Sequence, residues 1–148
     1  MASTVTASTM TVTISESITL NGKNQGGTQT LSIPSVAEVS KRIMTCLTSE
    51  VTLVSFAAAV APGTFIDADV RYVRITNLDD TNFVTLNVEG ESSTDFSIRL
   101  DAGASYIMAG SFVDHIDITD GASLENVSAI KGTANTAVCD LEIVVASA

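Results

Sequence analysis

The sequence predicts an all-β fold: an antiparallel two-sheet β-sandwich, jelly-roll-like, preceded by an N-terminal β arm. Three observations carry this. Apolar and polar residues alternate with a period of two in most segments, the signature of half-buried strands. Glycines 90, 103, 110, 121 and 132 recur at intervals of 7 to 13 residues, close to the turn rhythm of a sandwich or barrel. No helical pattern of ten or more residues interrupts them. At 148 residues, 45% hydrophobic and only 16% charged, the chain is too apolar for disorder and long enough for one core.

Residues 1–33 form a distinct Ser/Thr-rich arm with thirteen Ser or Thr and two charges, Glu16 and Lys23. Met10, Val12 and Ile14 alternate with Thr11, Thr13 and Ser15, and Ile18 and Leu20 keep the parity. Asn21-Gly22 and Gly26-Gly27 supply turn chemistry before Leu31 and Ile33 alternate again, so the arm reads as a hairpin or two strands. Two strands alone are marginal in water, so this arm needs a surface to lie on.

Residues 34–148 form the sandwich domain. Ser35 and Glu38 fit a capping box after Pro34, and Val36, Val39, Ile43 and Leu47 fall at helical spacing. The stretch Met44 to Thr48 is poor in helix formers, however, which favours a strand from about residue 39 with a short helix as the alternative. Val51 to Phe56 reads as a strand closed by Pro62-Gly63. Val70 to Ile75, a turn at 77–82 and Phe83 to Val88 read as the best hairpin of the chain. Phe96 to Leu100, Tyr106 to Ala109, Phe112 to Thr119 and Leu124 to Lys131 follow as strands between turns. In the last strand Ala137, Cys139, Leu141, Ile143 and Val145 share one face, with Asp140 and Glu142 on the other.

The net charge of −10 is unevenly spread. Residues 51–148 hold fourteen acids against four bases, while the arm is neutral. An acidic surface with seven basic residues in all offers no patch for phosphate backbones or anionic lipid. No run approaches the ~20 apolar residues of a membrane helix, and residues 1–10 lack the charged and apolar regions of a signal peptide.

The search for chemistry yields no catalytic, cofactor-binding or metal residue, and no cofactor is expected. A single histidine, His115, excludes a three-histidine zinc site, and its alternation with Ile116 and Ile118 makes it a solvent-facing strand residue. Asp67-Ala68-Asp69, Asp79-Asp80 and Asp114 to Asp120 could offer oxygens to calcium, but none fits the twelve-residue loop pattern, and turn formation explains them. Cys46 and Cys139 match no metal spacing and read as buried hydrophobes, with a disulfide between them left open. Seven aromatic residues without tryptophan leave little for a sugar-stacking cleft. The chain is therefore not expected to be an enzyme.

Tyr72-Val73-Arg74-Ile75-Thr76-Asn77-Leu78-Asp79-Asp80, Phe83-Val84-Thr85-Leu86 and Ile98-Arg99-Leu100-Asp101-Ala102-Gly103-Ala104-Ser105-Tyr106 resemble segments of the small β-sandwich virion proteins of tailed bacteriophages, over about residues 65–146. The resemblance implies a capsid decoration or cement protein that is made in the host cytoplasm and sits on the capsid surface. Its implied partners are the major capsid protein and copies of itself, as a homotrimer. A tail, neck or fibre-attachment subunit is the nearest alternative, and a soluble ligand- or sugar-binding module a more distant one.

Overall fold

The computed structural model describes residues 4–92, 95–110, 115–116 and 125–148. They are almost entirely strand: β1 (Ser8–Ser15), β2 (Thr19–Leu20), β3 (Lys23–Asn24), β4 (Thr28–Val36), β5 (Glu38–Cys46), β6 (Val51–Ala57), β7 (Thr64–Ile66), β8 (Val70–Asn77), β9 (Val84–Gly90), β10 (Asp95–Leu100), β11 (Ser105–Ala109), β12 (His115–Ile116), β13 (Glu125–Ala134) and β14 (Cys139–Ser147). A single turn of 3₁₀ helix at Asp67–Asp69 joins β7 to β8.

Two sheets face each other. The first has the order β11-β8-β14-β5 and the second β10-β9-β13-β6-β7, with β12 added beside β13. Counting in chain order only the eight body strands of five residues or more, these are 6-3-8-1 against 5-4-7-2, the wrapping of a jelly roll. Pairing is antiparallel except for β6 with β7, which is parallel. The predicted sandwich is thus the observed fold.

The core lies between the sheets because each strand places its alternate apolar residues there. Val73 and Ile75 of β8, Leu141, Ile143 and Val145 of β14, Leu86 and Val88 of β9, and Ile130 of β13 are all excluded from solvent. At roughly 1.5–3 kcal/mol for each fully buried large aliphatic side chain, this cluster is the principal stabilising element of the body. Cys46 and Cys139 stand opposite each other in the β5–β14 ladder, buried and unlinked.

The strand expected from about residue 39 is present as β5, Glu38–Cys46, and its helical alternative is not: β4 runs to Val36 and residues 35–47 contain no helix. Ser35 adopts a positive φ of 61° instead of capping. The residues at helical spacing, Val39, Ile43 and Leu47, are exposed, whereas Cys46 of the opposite strand face enters the core. One expectation needs correction: the segments 70–75 and 83–88 are not a hairpin, because β8 and β9 lie in opposite sheets.

The connection between β8 and β9 is a corner held by the buried Asn77. Its Nδ2 donates to the Asn82 carbonyl at 2.8 Å and the Leu100 carbonyl at 3.2 Å, and its Oδ1 accepts from the Asp79 N–H at 3.0 Å. Its backbone also bonds the 101–104 turn through Ala104 and Gly103, where Gly103 supplies the left-handed φ of 74°. One side chain therefore ties two inter-sheet turns together, and buried polar groups persist only when satisfied in this way.

The arm is a hairpin of β1 with β4, extended by the small β2–β3 pair around the Asn21-Gly22 turn, and β4 carries it to Val36, three residues beyond the expected boundary at residue 33. Met10 stands opposite Ile33, Val12 opposite Leu31 and Ile14 opposite Gln29, so one side of the ribbon is apolar. Thr11, Thr13, Ser32 and Thr30 occupy the other side.

Candidate interaction surface

The two outward faces of the sandwich differ in chemistry. On the β9, β10 and β13 strands the outer side carries Thr85, Asn87, Glu89, Asp95, Ser97, Arg99 and Lys131 in register. Lys131 bridges Glu89 at 2.7 Å and Glu50 at 3.4 Å, and the Arg99 guanidinium stacks 4.0 Å above the Phe83 ring while pairing with Asp101. This is a hydrated surface whose ion pairs contribute little to stability individually.

The outer side of the first sheet is mixed and partly covered. Its rows, read across β11, β8, β14 and β5, are Ala109–Tyr72–Ala146–Val39, Ile107–Arg74–Val144–Lys41 and Ser105–Thr76–Glu142–Ile43. Ile33 and Val36 of the arm bury themselves against Tyr72, Val144 and Ala146, with Met10 and Val12 packed beside them. Two cations on this side share one carboxylate: Glu142 accepts from Lys41 at 2.9 Å and from Arg74 at 2.5 Å. These two hydrogen-bonded cations, Lys41 foremost, hold the Glu142 carboxyl below its ordinary range.

Beyond this base the apolar side of the arm has no cover. Ile14 is 49% and Leu31 40% exposed, and Ile18 and Leu20 toward the tip are likewise open. On the same outer side of the sandwich, Val39 is 59% and Ile43 65% exposed along the edge strand β5. A neutral ribbon with one apolar side thus lies next to two exposed apolar residues that flank Lys41 on an otherwise acidic body. Large apolar residues grouped in this way mark contact sites more often than scattered ones do. The alternation in β1 and β4 made the arm stripe legible from sequence. Val39 and Ile43 were missed as surface residues because their spacing also suits a buried helical face.

Elsewhere the acidic clusters serve the backbone. Asp79 Oδ1 accepts from the N–H groups of Asn82 and Thr81 at 2.6 and 2.8 Å, and these bonds favour the carboxylate and hold its pKa below the ordinary value. Asp67 is buried and accepts the Ala68 N–H. No group of three metal-ligating side chains occurs among the described residues. The acids from Asp114 to Asp120 and the side chain of His115 lie outside them. No helix among the described residues is long and apolar enough to cross a membrane.

A cleft of about 330 Å³ opens between the edges of β5 and β7. It is lined by Glu38, Arg42 and Asp69 among others, with Phe65 its one aromatic among the described residues. Arg42 turns its guanidinium to the Leu53 carbonyl. The cleft lining thus combines mixed charge with a single aromatic ring. In comparison with known protein families and with curated proteins, the chain matches no family model and no curated sequence.

Proposed function

We propose that the chain is a structural subunit that packs onto a larger assembly, and that this assembly is a virion. In this reading it is a capsid decoration or cement protein that binds the outer shell and bridges its major subunits and neighbouring copies. The observation that carries the reading is the uncovered apolar stripe of the arm, Ile14, Ile18, Leu20 and Leu31, beside the exposed Val39 and Ile43. A free monomer gains nothing from holding these residues in water, whereas a subunit that docks would bury them.

Three further features support it. The wrapping is that of a jelly roll, which viral capsid domains share with lectins and cupins. That likeness is one of fold alone and leaves the role to the surface. The segment from Tyr72 to Asp80, one of the three that carry the resemblance to phage virion proteins, is built around the Asn77 corner, which also ties in Leu100 of another of them. The acidity resides in the body, with the arm neutral, so the arm can approach a subunit of either sign.

The test is the position of the chain in purified particles, read by antibody labelling under the electron microscope. Label over the shell supports decoration, and label on the tail or neck supports the alternative subunit role. Absence from particles defeats both. A variant lacking residues 1–30 should keep the sandwich folded and lose its place on the particle. Undiminished occupancy by that variant would remove the arm from the mechanism.

A further inference from the structure

We infer that β1 is the strand through which two copies of the chain join, edge to edge, by antiparallel pairing of β1 with β1 of a second copy. An open strand edge is a template for another strand, and folded proteins guard such edges with charge, proline, bulges or shortness. The edges of the body are better guarded: β5 carries Glu38, Lys41 and Arg42, β10 carries Asp95 and Arg99, and β7 has three residues, while β11, uncharged like β1, has five against its eight. In the arm, β4 contains Pro34 and the left-handed Ser35. β1, Ser-Thr-Met-Thr-Val-Thr-Ile-Ser, has eight residues with no charge, proline or glycine; its one register shift against β4 falls at its start, between Ser8 and Met10, and leaves Met10 to Ser15 regular, and its second edge has no partner strand among the described residues.

Three observations commit this edge to a second copy. Each copy brings the same unguarded strand, so the matching edge is present wherever the protein is. The arm is neutral while each chain carries −10 in total, so the arms are where two such chains meet without like-charge repulsion. The distal arm is a two-stranded ribbon that the body does not cover, and such ribbons are marginal alone. Pairing gives a four-stranded sheet in the order β4-β1-β1-β4, which meets the usual requirement of three or more strands with an apolar face.

Parity sets the register. A two-fold axis at Val12 places Met10 opposite Ile14 of the other copy and keeps every apolar residue of both strands on one side. A shift by one residue would put threonines there. Thr11 then faces Thr13 of the other copy on the polar side, and both are exposed in the single chain.

The inference concerns contact between copies and stands whether or not the assembly is a particle. Its test is sedimentation equilibrium of the full chain at micromolar concentration. The expected mass is twice 15.3 kDa. A Thr11→Lys/Thr13→Lys variant sets lysines against lysines across the axis and should weaken the dimer at least about tenfold, since directly opposed like charges destabilise a pair. The thermal melt of its body should be unaltered. Mixing it with Thr11→Glu/Thr13→Glu should restore the dimer. A monomeric parent chain, a trimer, or a dimer indifferent to these charges would overturn the pairing, and none of these would by itself remove the chain from a particle.

Discussion

Gly132 lies in β13, opposite Val51 on one neighbour and Leu86 on the other. A methyl group added there would meet Leu53 Cδ1 at 2.8 Å, Cys46 Sγ at 3.0 Å and Leu53 Cγ at 3.3 Å. Leu53 and Cys46 are both fully buried, so neither can swing into solvent to make room. Overpacking of this kind costs about 1–3 kcal/mol, and the lower entropy of the unfolded Gly→Ala chain returns about 0.4–1 kcal/mol. Gly132→Ala should therefore destabilise by about 1–2 kcal/mol, lowering the thermal midpoint by about 2–8 °C for a chain of this size. Far-UV circular dichroism melts and urea titrations would measure it. Leu53→Val trims the crowded branch and should cost less in the Gly132→Ala background than in the parent, a positive coupling in a double-mutant cycle. A Gly132→Ala protein as stable as its parent would refute the crowding argument.

Asn77→Ala leaves the Asn82 and Leu100 carbonyls and the Asp79 N–H without their partner, and should cost about 1–3 kcal/mol in urea unfolding. On acidification, stability should hold to about pH 5 and then fall, because the folded state depresses Glu142, through Lys41 and Arg74, and Asp79, through the Asn82 and Thr81 N–H groups. A depressed carboxylate stabilises above its ordinary range, and that contribution is lost as pH falls through the folded value. Glu142→Gln should flatten the acid limb of a pH–melting series. Cys46 and Cys139 should resist alkylation in the native protein and react readily in urea, read by mass spectrometry. Burial is the largest cause raising both thiols, with the neighbouring Cys139 adding to the effect at Cys46.

The sequence made the last strand legible residue by residue, since Cys139, Leu141, Ile143 and Val145 do enter the core. It could not show that Val144 and Ala146, on the opposite side, are buried too, because the arm that covers them is distant in sequence. Ala137 continues the alternation but lies in the turn before β14 and stays exposed. The spacing of Val70–Ile75 and Phe83–Val88 suits a hairpin and an inter-sheet corner equally. What separates the two is the burial of Asn77, a tertiary fact. For the contact surface, the arm stripe was readable from its period of two. The exposed pair on β5 was not, because Val39 and Ile43 at an interval of four fit a helix as well as alternate positions of a strand.

The jelly-roll order also governs how this chain reaches its fold. β5 finds its neighbour in β14, with Cys46 paired to Cys139, so the first body strand must wait for a partner 93 positions further along the chain. Contacts of such long range impose a loop-closure cost before any ladder forms, which places the protein among slow folders. Throughout that interval β5 is an open strand on both sides, in the company of an unguarded arm. Its Glu38, Lys41 and Arg42 protect the nascent chain from premature pairing as much as they protect the finished edge.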